Sequence, residues 1–342
     1  MIRICGDVNL TDGYFDVGFG LGTMVKNGKN PLAAIEKNND YWVGNFEGVA
    51  SSHSKLTGVA SSQFRILPSD LGNVLNCFNA MGLANNHVMQ HGDEAYLETA
   101  QSLEQLGIKT FGSKDKKSLI FEHEGKKFSL TGFSQRIDQF SEQPLYWHNP
   151  DFTNILEEVN SLPSEVFKIV YVHWGYEYIN RPSQYQKLLA HYLIDIGYDL
   201  VVGMHPHVLQ GYEIYKTKYI FYSLGNFSFD MPWMPTKYGA IVNVDSRDKS
   251  VNVSFDYVHI KNDLTTEIVD ESEVPESQRF SKLNKYIERS DNGESYFNEV
   301  NSFYRQYRKA NHRDIISKMI RHPKSIIYIT RDFIRRRLIK KL

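Results

Sequence analysis

A series of residues with metal-seeking side chains stands where short apolar runs end. Asp7 follows "ICG", Glu47 follows "VGNF", Asn86 and His87 follow "GLAN", and His173 follows "VYV". His205 and His207 flank Pro206 just after "DLVVGM". Carboxylate, amide oxygen and imidazole together suit a divalent ion such as Mn, Fe or Zn rather than a soft thiolate site. Each residue also has a plain structural reading. Asp7 is a turn or helix cap, Glu47 pairs with a basic neighbour, and "NNH" at 85–87 is a turn, since Asn favours left-handed backbone. His173, beside Trp174 and Gly175, is a core histidine, and His-Pro-His is a rigid loop. What favours a common site is the shared context, because strand ends on one edge of an α/β sheet converge on one crevice.

The elements that must position these groups are readable from periodicity. "MIRICG", 41–46, 127–133, 166–175, "DLVVGMH", 219–227, 239–244 and 251–260 are predicted strands, and 76–87 runs from a helix end into a strand and turn. Helices are predicted over 93–107 and 183–197, each closing on a glycine. Strands 219–227, 239–244 and 251–260 are expected to form an antiparallel group. Alternating strands and helices followed by a strand-rich part imply a layered α/β fold with mixed sheets, without internal repeats. The organisation expected is a main domain over 1–262, a polar acidic linker over 263–303 and a basic tail over 304–342.

Composition narrows the class. The chain has 342 residues, 41% of them hydrophobic, which suffices for a large core. Its net charge of -1 hides an asymmetry: Arg305 to Leu342 holds 13 Lys/Arg against 2 Asp/Glu, and the rest holds 26 against 38. Two cysteines, Cys5 and Cys77, sit in apolar stretches and make no disulfide framework. No apolar leader opens "MIRICGDVNL", and no run reaches the length of a membrane span. The expected compartment is therefore the cytoplasm, and the Asn-X-Ser/Thr triplets at Asn9, Asn226 and Asn252 are read as chance.

The order Asp, Glu, Asn-His, His, His-X-His resembles the calcineurin-type metallophosphoesterase pattern. The wording resembles more closely the bacterial capsule-synthesis family of the CapA type, linked with poly-γ-glutamate capsules. The matching stretches are "GDVNL", "NFE", "ANNHVMQHG", "HWGYEY", "GMHPHVLQGYEIY" and "IFYSLGNFSFD". They cover roughly residues 1–230, with 166–230 the more specific part. The resemblance implies a four-layer αββα sandwich of two mixed sheets around two divalent metal ions. It implies that Asp7 and His207 bind the first ion, that Glu47 bridges both, and that Asn86, His173 and His205 bind the second. His87 would stand over the substrate as acid or phosphate-oxygen partner. Two departures stand out: Asn9 replaces the histidine of the usual Asp-X-His, and Gln90 replaces the acidic residue that would orient His87. Met204 also stands where the family often has His.

The chemistry so implied is metal-dependent phosphoester hydrolysis. Two ions about 3.5–4 Å apart clamp attacking and leaving oxygens and activate a bridging hydroxide. Because imidazole must be neutral to bind metal, activity is expected to fall below about pH 6. The substrate expected is a phosphorylated glycan or capsule polymer precursor. Asn9, Tyr176, Glu177, Arg181 and Asn226 are the candidate substrate contacts, with Arg136 a second candidate phosphate clamp. Trp174 reads as a packed core residue. Two other readings remain open: metal-dependent hydrolysis or transfer at an amide or glycosyl linkage of a capsule polymer, and a non-catalytic scaffold that binds glycan phosphate. The tail reads as two basic amphipathic helices broken at His322-Pro323, suited to an anionic membrane at its inner face. No aromatic or glycine-rich module points to nucleic acid.

Overall fold

The computed structural model describes residues 1–12, 20–72, 74–246, 251–289 and 293–321, with 326, 327, 330 and 334 beyond them. In chain order the strands are β1 (Ile2–Val8), β2 (Tyr41–Phe46), β3 (Val49–Ala50), β4 (Arg65–Ile66), β5 (Phe78–Gly82), β6 (Lys109–Phe111), β7 (Ser118–His123), β8 (Lys126–Ser134), β9 (Phe167–His173), β10 (Leu200–Met204), β11 (Leu209–Tyr215), β12 (Lys218–Leu224), β13 (Asn226–Ser228), β14 (Tyr238–Asp245), β15 (Asn252–Ile260) and β16 (Thr266–Val269). The helices are α1 (Leu21–Lys26), α2 (Pro68–Leu71), α3 (Asp93–Gln105), α4 (Phe152–Ser161), α5 (Gln184–Asp195), α6 (Phe280–Ile287) and α7 (Glu294–Arg321).

Two mixed sheets carry the fold. The first runs β16-β15-β14-β1-β2-β5-β6, with β13 also paired to β1; the second runs β11-β12-β10-β9-β8-β7. The period-two alternation of a strand explains the layering. On β9, Ile169 and Tyr171 enter the core between the sheets, while Val170 and Val172 enter the core under α4 and α5. On β1, Ile2 and Ile4 face the second sheet and Cys5 faces the α3 side. Three apolar cores therefore separate four layers, helix, sheet, sheet and helix. Each fully buried Val, Leu, Ile or Phe contributes roughly 1.5–3 kcal/mol, so this double-faced burial makes both central sheets rigid.

Local signals set the helix ends. Ser183 accepts a hydrogen bond from the backbone N–H of Gln186, whose side chain accepts from the Ser183 N–H, and this capping box starts α5. Gly197, at φ 120, follows the end of that helix.

Two expectations are corrected. The predicted strand 219–227 does not join the antiparallel group of β14 and β15. It splits at Gly225: β12 belongs to the second sheet and β13 to the first. Gly225 takes φ 64, a left-handed turn that lets the chain cross between layers. The stretch 263–303, expected as a linker, contains β16, α6 and the start of α7. Phe280 and Leu283 of α6 enter the inter-sheet core.

Helix α7 lies on the domain and is tied down along its length. Tyr296 and Tyr307 are buried, and Tyr307 stacks on Tyr178 at 4.0 Å between ring centroids. Glu299 meets Arg181 at 2.7 Å, and Lys318 meets Asp230 at 3.2 Å. The tail expected over 304–342 is thus a docked helix up to Arg321; its second half lies almost wholly outside the described residues.

Candidate metal centre

Parallel register brings the polar residues to one edge. Between β1 and β2, Asp7 stands opposite Asn45; between β1 and β13, Asp7 stands opposite Asn226. On the other sheet His173 stands opposite Met204. These positions are at the carboxyl ends of parallel strands, or at the start of the strand laid beside them, where an α/β fold leaves a crevice. Beyond Met204 the chain turns sharply, with His205 at φ 94 and His207 at φ 57. Left-handed backbone costs an L-residue roughly 1–2 kcal/mol, and such strain collects at functional sites. Gly203 makes the turn feasible, since a Cβ there would come 2.1 Å from the carbonyl oxygen of Tyr222 on β12.

The side chains converge on Glu47. Its Oε1 lies 3.7 Å from His173 Nε2, 3.7 Å from His207 Nε2 and 3.9 Å from His87 Nε2. His173 Nε2 is 2.7 Å from Asn86 Oδ1 and 3.1 Å from His205 Nδ1. Asp7 accepts a hydrogen bond from Asn45 at 2.8 Å and from the His205 backbone at 3.2 Å, and its Oδ2 lies 3.4 Å from His207 Nδ1. Two groups of three potential ligands, Glu47 with His173 and His205, and Glu47 with Asp7 and His207, each fit within 4.8 Å and share Glu47.

This donor set suits a cation. All six residues Asp7, Glu47, Asn86, His173, His205 and His207 meet in one place, and all but Asn86 are buried. No donor hydrogen-bonds either oxygen of Glu47, and His205 Nε2 also lacks a partner. Among the described residues no lysine or arginine pairs with Asp7 or Glu47. A buried carboxylate without counter-charge is costly. Burial accordingly pushes Asp7 up to about 7, against the opposing hydrogen bonds from Asn45 and the His205 backbone. Burial, then the charges of Asp7 and Glu177, hold Glu47 well above the usual carboxylate range. Burial also drives His173 and His205 well below the ordinary imidazole value and His207 down to about 3. Neutral imidazoles beside under-compensated carboxylates are what a divalent ion requires.

Asparagines orient the ligands, and Asn45 and Asn85 are the ones sequence reading passed over. Asn85 donates to Asn45 Oδ1 at 3.2 Å, leaving the Asn45 amide to donate to Asp7. A polar residue inside an apolar strand gives no separate signal of this kind. Asn226, expected at the substrate rim, is fully buried and orients His207 instead. Its Nδ2 donates to the Thr236 carbonyl at 3.0 Å, so its Oδ1 accepts from His207 Nδ1 at 3.0 Å. That fixes the tautomer and leaves the Nε2 lone pair facing the space beside Glu47 Oε1, 3.7 Å away, where a cation would lie between them.

The other expected substrate contacts divide. Asn9 does not face the crevice: it is buried, donates to the Glu47 carbonyl at 2.6 Å and accepts from Thr11. Arg181 is also buried, engaged by Glu299 and lying over the Tyr296 ring. Tyr176 and Glu177 do line the cleft, as do Asn86, His87 and Arg136, around a cavity of about 580 Å³. Trp174 is core, its indole N–H donating to the Tyr222 carbonyl at 2.9 Å. Gln90 holds His87 where an acid was expected, with Oε1 3.0 Å from Nδ1. His87 stacks on Phe64 at 3.9 Å, and burial lowers it to about 4.

The class defined here is a four-layer α/β sandwich with a buried carboxylate and imidazole cluster at its strand edge. The family described as bacterial capsule synthesis protein PGA_cap matches residues 1–231, and the chain belongs to it. It is 32% identical to the capsule biosynthesis protein CapA of Bacillus anthracis over 64% of this chain and 57% of that protein. It is 31% identical to the PGA biosynthesis protein CapA of Bacillus subtilis over 61% of this chain and 58% of that one. The alignments thus span less than two thirds of either relative. Among solved structures, a phosphatase from Mycoplasma pneumoniae aligns with a TM-score of 0.44 at 14% identity, covering 78% of this chain and 92% of that one. Among the described residues no helix is long and apolar enough to cross a membrane.

Proposed function

We propose that the protein is a metal-dependent phosphoester hydrolase acting in the assembly of a capsule or surface polymer. The observation that carries this reading is Glu47: buried, without a hydrogen-bond donor, and shared by two groups of imidazole and carboxylate ligands. In this reading Asp7, Glu47 and His207 hold one divalent cation, and Glu47, Asn86, His173 and His205 hold a second. Such ions would neutralise phosphoryl charge and lower the pKa of a bound water. The chain's own groups supply the rest. Arg136 is fixed by donating to the Gly175 carbonyl at 2.6 Å and can meet a phosphoryl oxygen in the cleft. His87, neutral and donating Nδ1 to Gln90, stands 3.9 Å from Glu47, and its Nε2 lone pair can accept a proton from a substrate hydroxyl. Asn9, in place of the Asp-X-His histidine, is used inside the fold, so in this reading the first cation would have Asp7, Glu47 and His207 alone. Family membership supports the capsule setting, and a phosphorylated glycan or capsule polymer precursor is the substrate proposed.

Glu47→Gln tests this. The variant keeps the side-chain shape and removes the buried charge. Metal content by elemental analysis and nitrophenyl phosphate turnover should fall together, while the metal-free variant melts higher than the metal-free parent. Retention of both metal and turnover would overturn the reading.

A further inference from the structure

Helix α7 begins more than sixty residues beyond the family-matched stretch 1–231, yet it forms one wall of the cleft above the ligand cluster. Phe297, Val300, Asn301 and Tyr304 line that wall at helical spacing. Phe297 is 47% exposed, Tyr304 43% and Tyr176, whose ring packs edge-on against Phe297 at 5.6 Å, 37%. Aromatic rings left this open around a cavity mark a contact surface.

The lining has little charge. Five of its residues are amides and five are aromatic; Arg136 is the one cation and Glu177 the one carboxylate among the described residues lining it. No lysine or arginine of α7 reaches the lining. Asn86 belongs to the ligand cluster and Gln90 holds His87, so the amides offered to a sugar are chiefly Gln139 and Asn301, which with the rings beside them match its hydroxyls and apolar faces. A polyanionic chain would need a row of cations, since each carboxylate must be matched or left desolvated. A single cation near the ligand cluster matches one anionic group.

We propose that α7 is the substrate-selecting wall of this cleft, and that the cleft takes a saccharide bearing a single phosphoryl group rather than a polyglutamate chain. The inference rests on the phosphoester reading above and names its substrate class. The position of the phosphoryl group follows from charge: it goes toward the ligand cluster and Arg136, whose guanidinium lies over the Tyr176 ring, and leaves the saccharide to the α7 wall.

The test is calorimetric binding to the full chain loaded with Mn²⁺. The probes are glucose, galactose and N-acetylglucosamine 1-phosphates, inorganic phosphate and a γ-linked glutamate oligomer. At least one hexose phosphate should bind about tenfold tighter than phosphate, the size of one or two aromatic and amide contacts. The Phe297→Ala, Asn301→Ala double variant should lose that gain and keep its phosphate affinity. Both side chains are exposed, so the fold should survive, as a melting curve will show. Equal affinity for phosphate and every hexose phosphate overturns the proposal. So does tighter binding of the glutamate oligomer, or a gain that survives the double substitution. These affinities do not depend on turnover. Failure to hydrolyse nitrophenyl phosphate would sink the proposed activity and leave the binding result to decide the substrate class.

Discussion

Asn226 accepts the Nδ1 proton of His207 at 3.0 Å while its own amide is held by the Thr236 carbonyl. The amide thereby chooses which ring nitrogen of His207 has a free lone pair. Replacing it with Ala removes the choice without touching a ligand. Metal affinity should fall about 10–100-fold, the usual cost of losing such a partner, and the metal-free protein should lose roughly 1–3 kcal/mol of stability, because the Thr236 carbonyl and His207 Nδ1 are left without partners. Titration of the metal-free variant with Mn²⁺ measures the first quantity and calorimetry the second.

Gln90 governs the basicity of His87. A neutral amide accepts from Nδ1 but adds no charge, so burial dominates and holds the imidazole at about 4. Gln90→Glu puts a carboxylate at the same distance and favours the imidazolium. The His87 pKa should rise toward the ordinary histidine range, and the acid limb of any pH-rate profile should move up with it. Imidazole proton resonances followed through a pH titration report the shift directly.

The metal-free protein should lose stability on acidification. Four imidazoles, His87, His173, His205 and His207, bind protons less readily folded than unfolded. As pH falls through the unfolded value of about 6.5, the unfolded chain gains protons that the folded one refuses, so stability drops. Asp7, raised to about 7, and Glu47, raised well above the usual carboxylate range, act in the opposite sense, because the folded state takes up their protons first. His91, His123 and His259 are lowered too, and Glu177 and Asp230 raised, so among the described residues seven imidazoles oppose four carboxylates and a net loss is expected. Melting temperatures at pH 8 and pH 5.5 in a chelator check it, and a higher value at pH 5.5 would show that the carboxylates dominate.

The basic tail gives a separate expectation. Ile316 and Ile320 are exposed on α7, and Ile326, Ile327 and Ile334 are exposed beyond it. Residues 322–342 hold a dense run of Lys and Arg. Cutting the chain after Arg321 spares the ion pairs of Glu299 and Lys318 and should abolish flotation with anionic liposomes. Flotation that persists after the cut would assign membrane binding to the folded domain.

Much of the fold was legible because burial on both faces writes itself as short apolar runs. The strand expected over 41–46 is β2, and the helices expected over 93–107 and 183–197 are α3 and α5, shortened by two or three residues. The ligand cluster was legible for a related reason: charged residues at the ends of such runs are conspicuous. Positioning residues were not, because Asn45 and Asn85 look like turn residues until their partners are known. Arg181 looked like a phosphate clamp because a lone arginine after an aromatic stretch carries no sign of Glu299, 118 positions away. Helix α7 was hidden by its own composition. Its buried stripe of Tyr296 and Tyr307 is thin, and the surrounding Glu, Asn and Arg gave the appearance of a linker and tail.

The backbone at His205 and His207 bears on how this centre is best dissected. Both residues have left-handed φ values, 94 and 57. Truncation to alanine would delete an imidazole yet keep a Cβ on a backbone that tolerates one poorly. Glycine relaxes that constraint and deletes the ring in the same stroke. Comparing the two replacements at one position separates the loss of a ligand from the release of a bent chain.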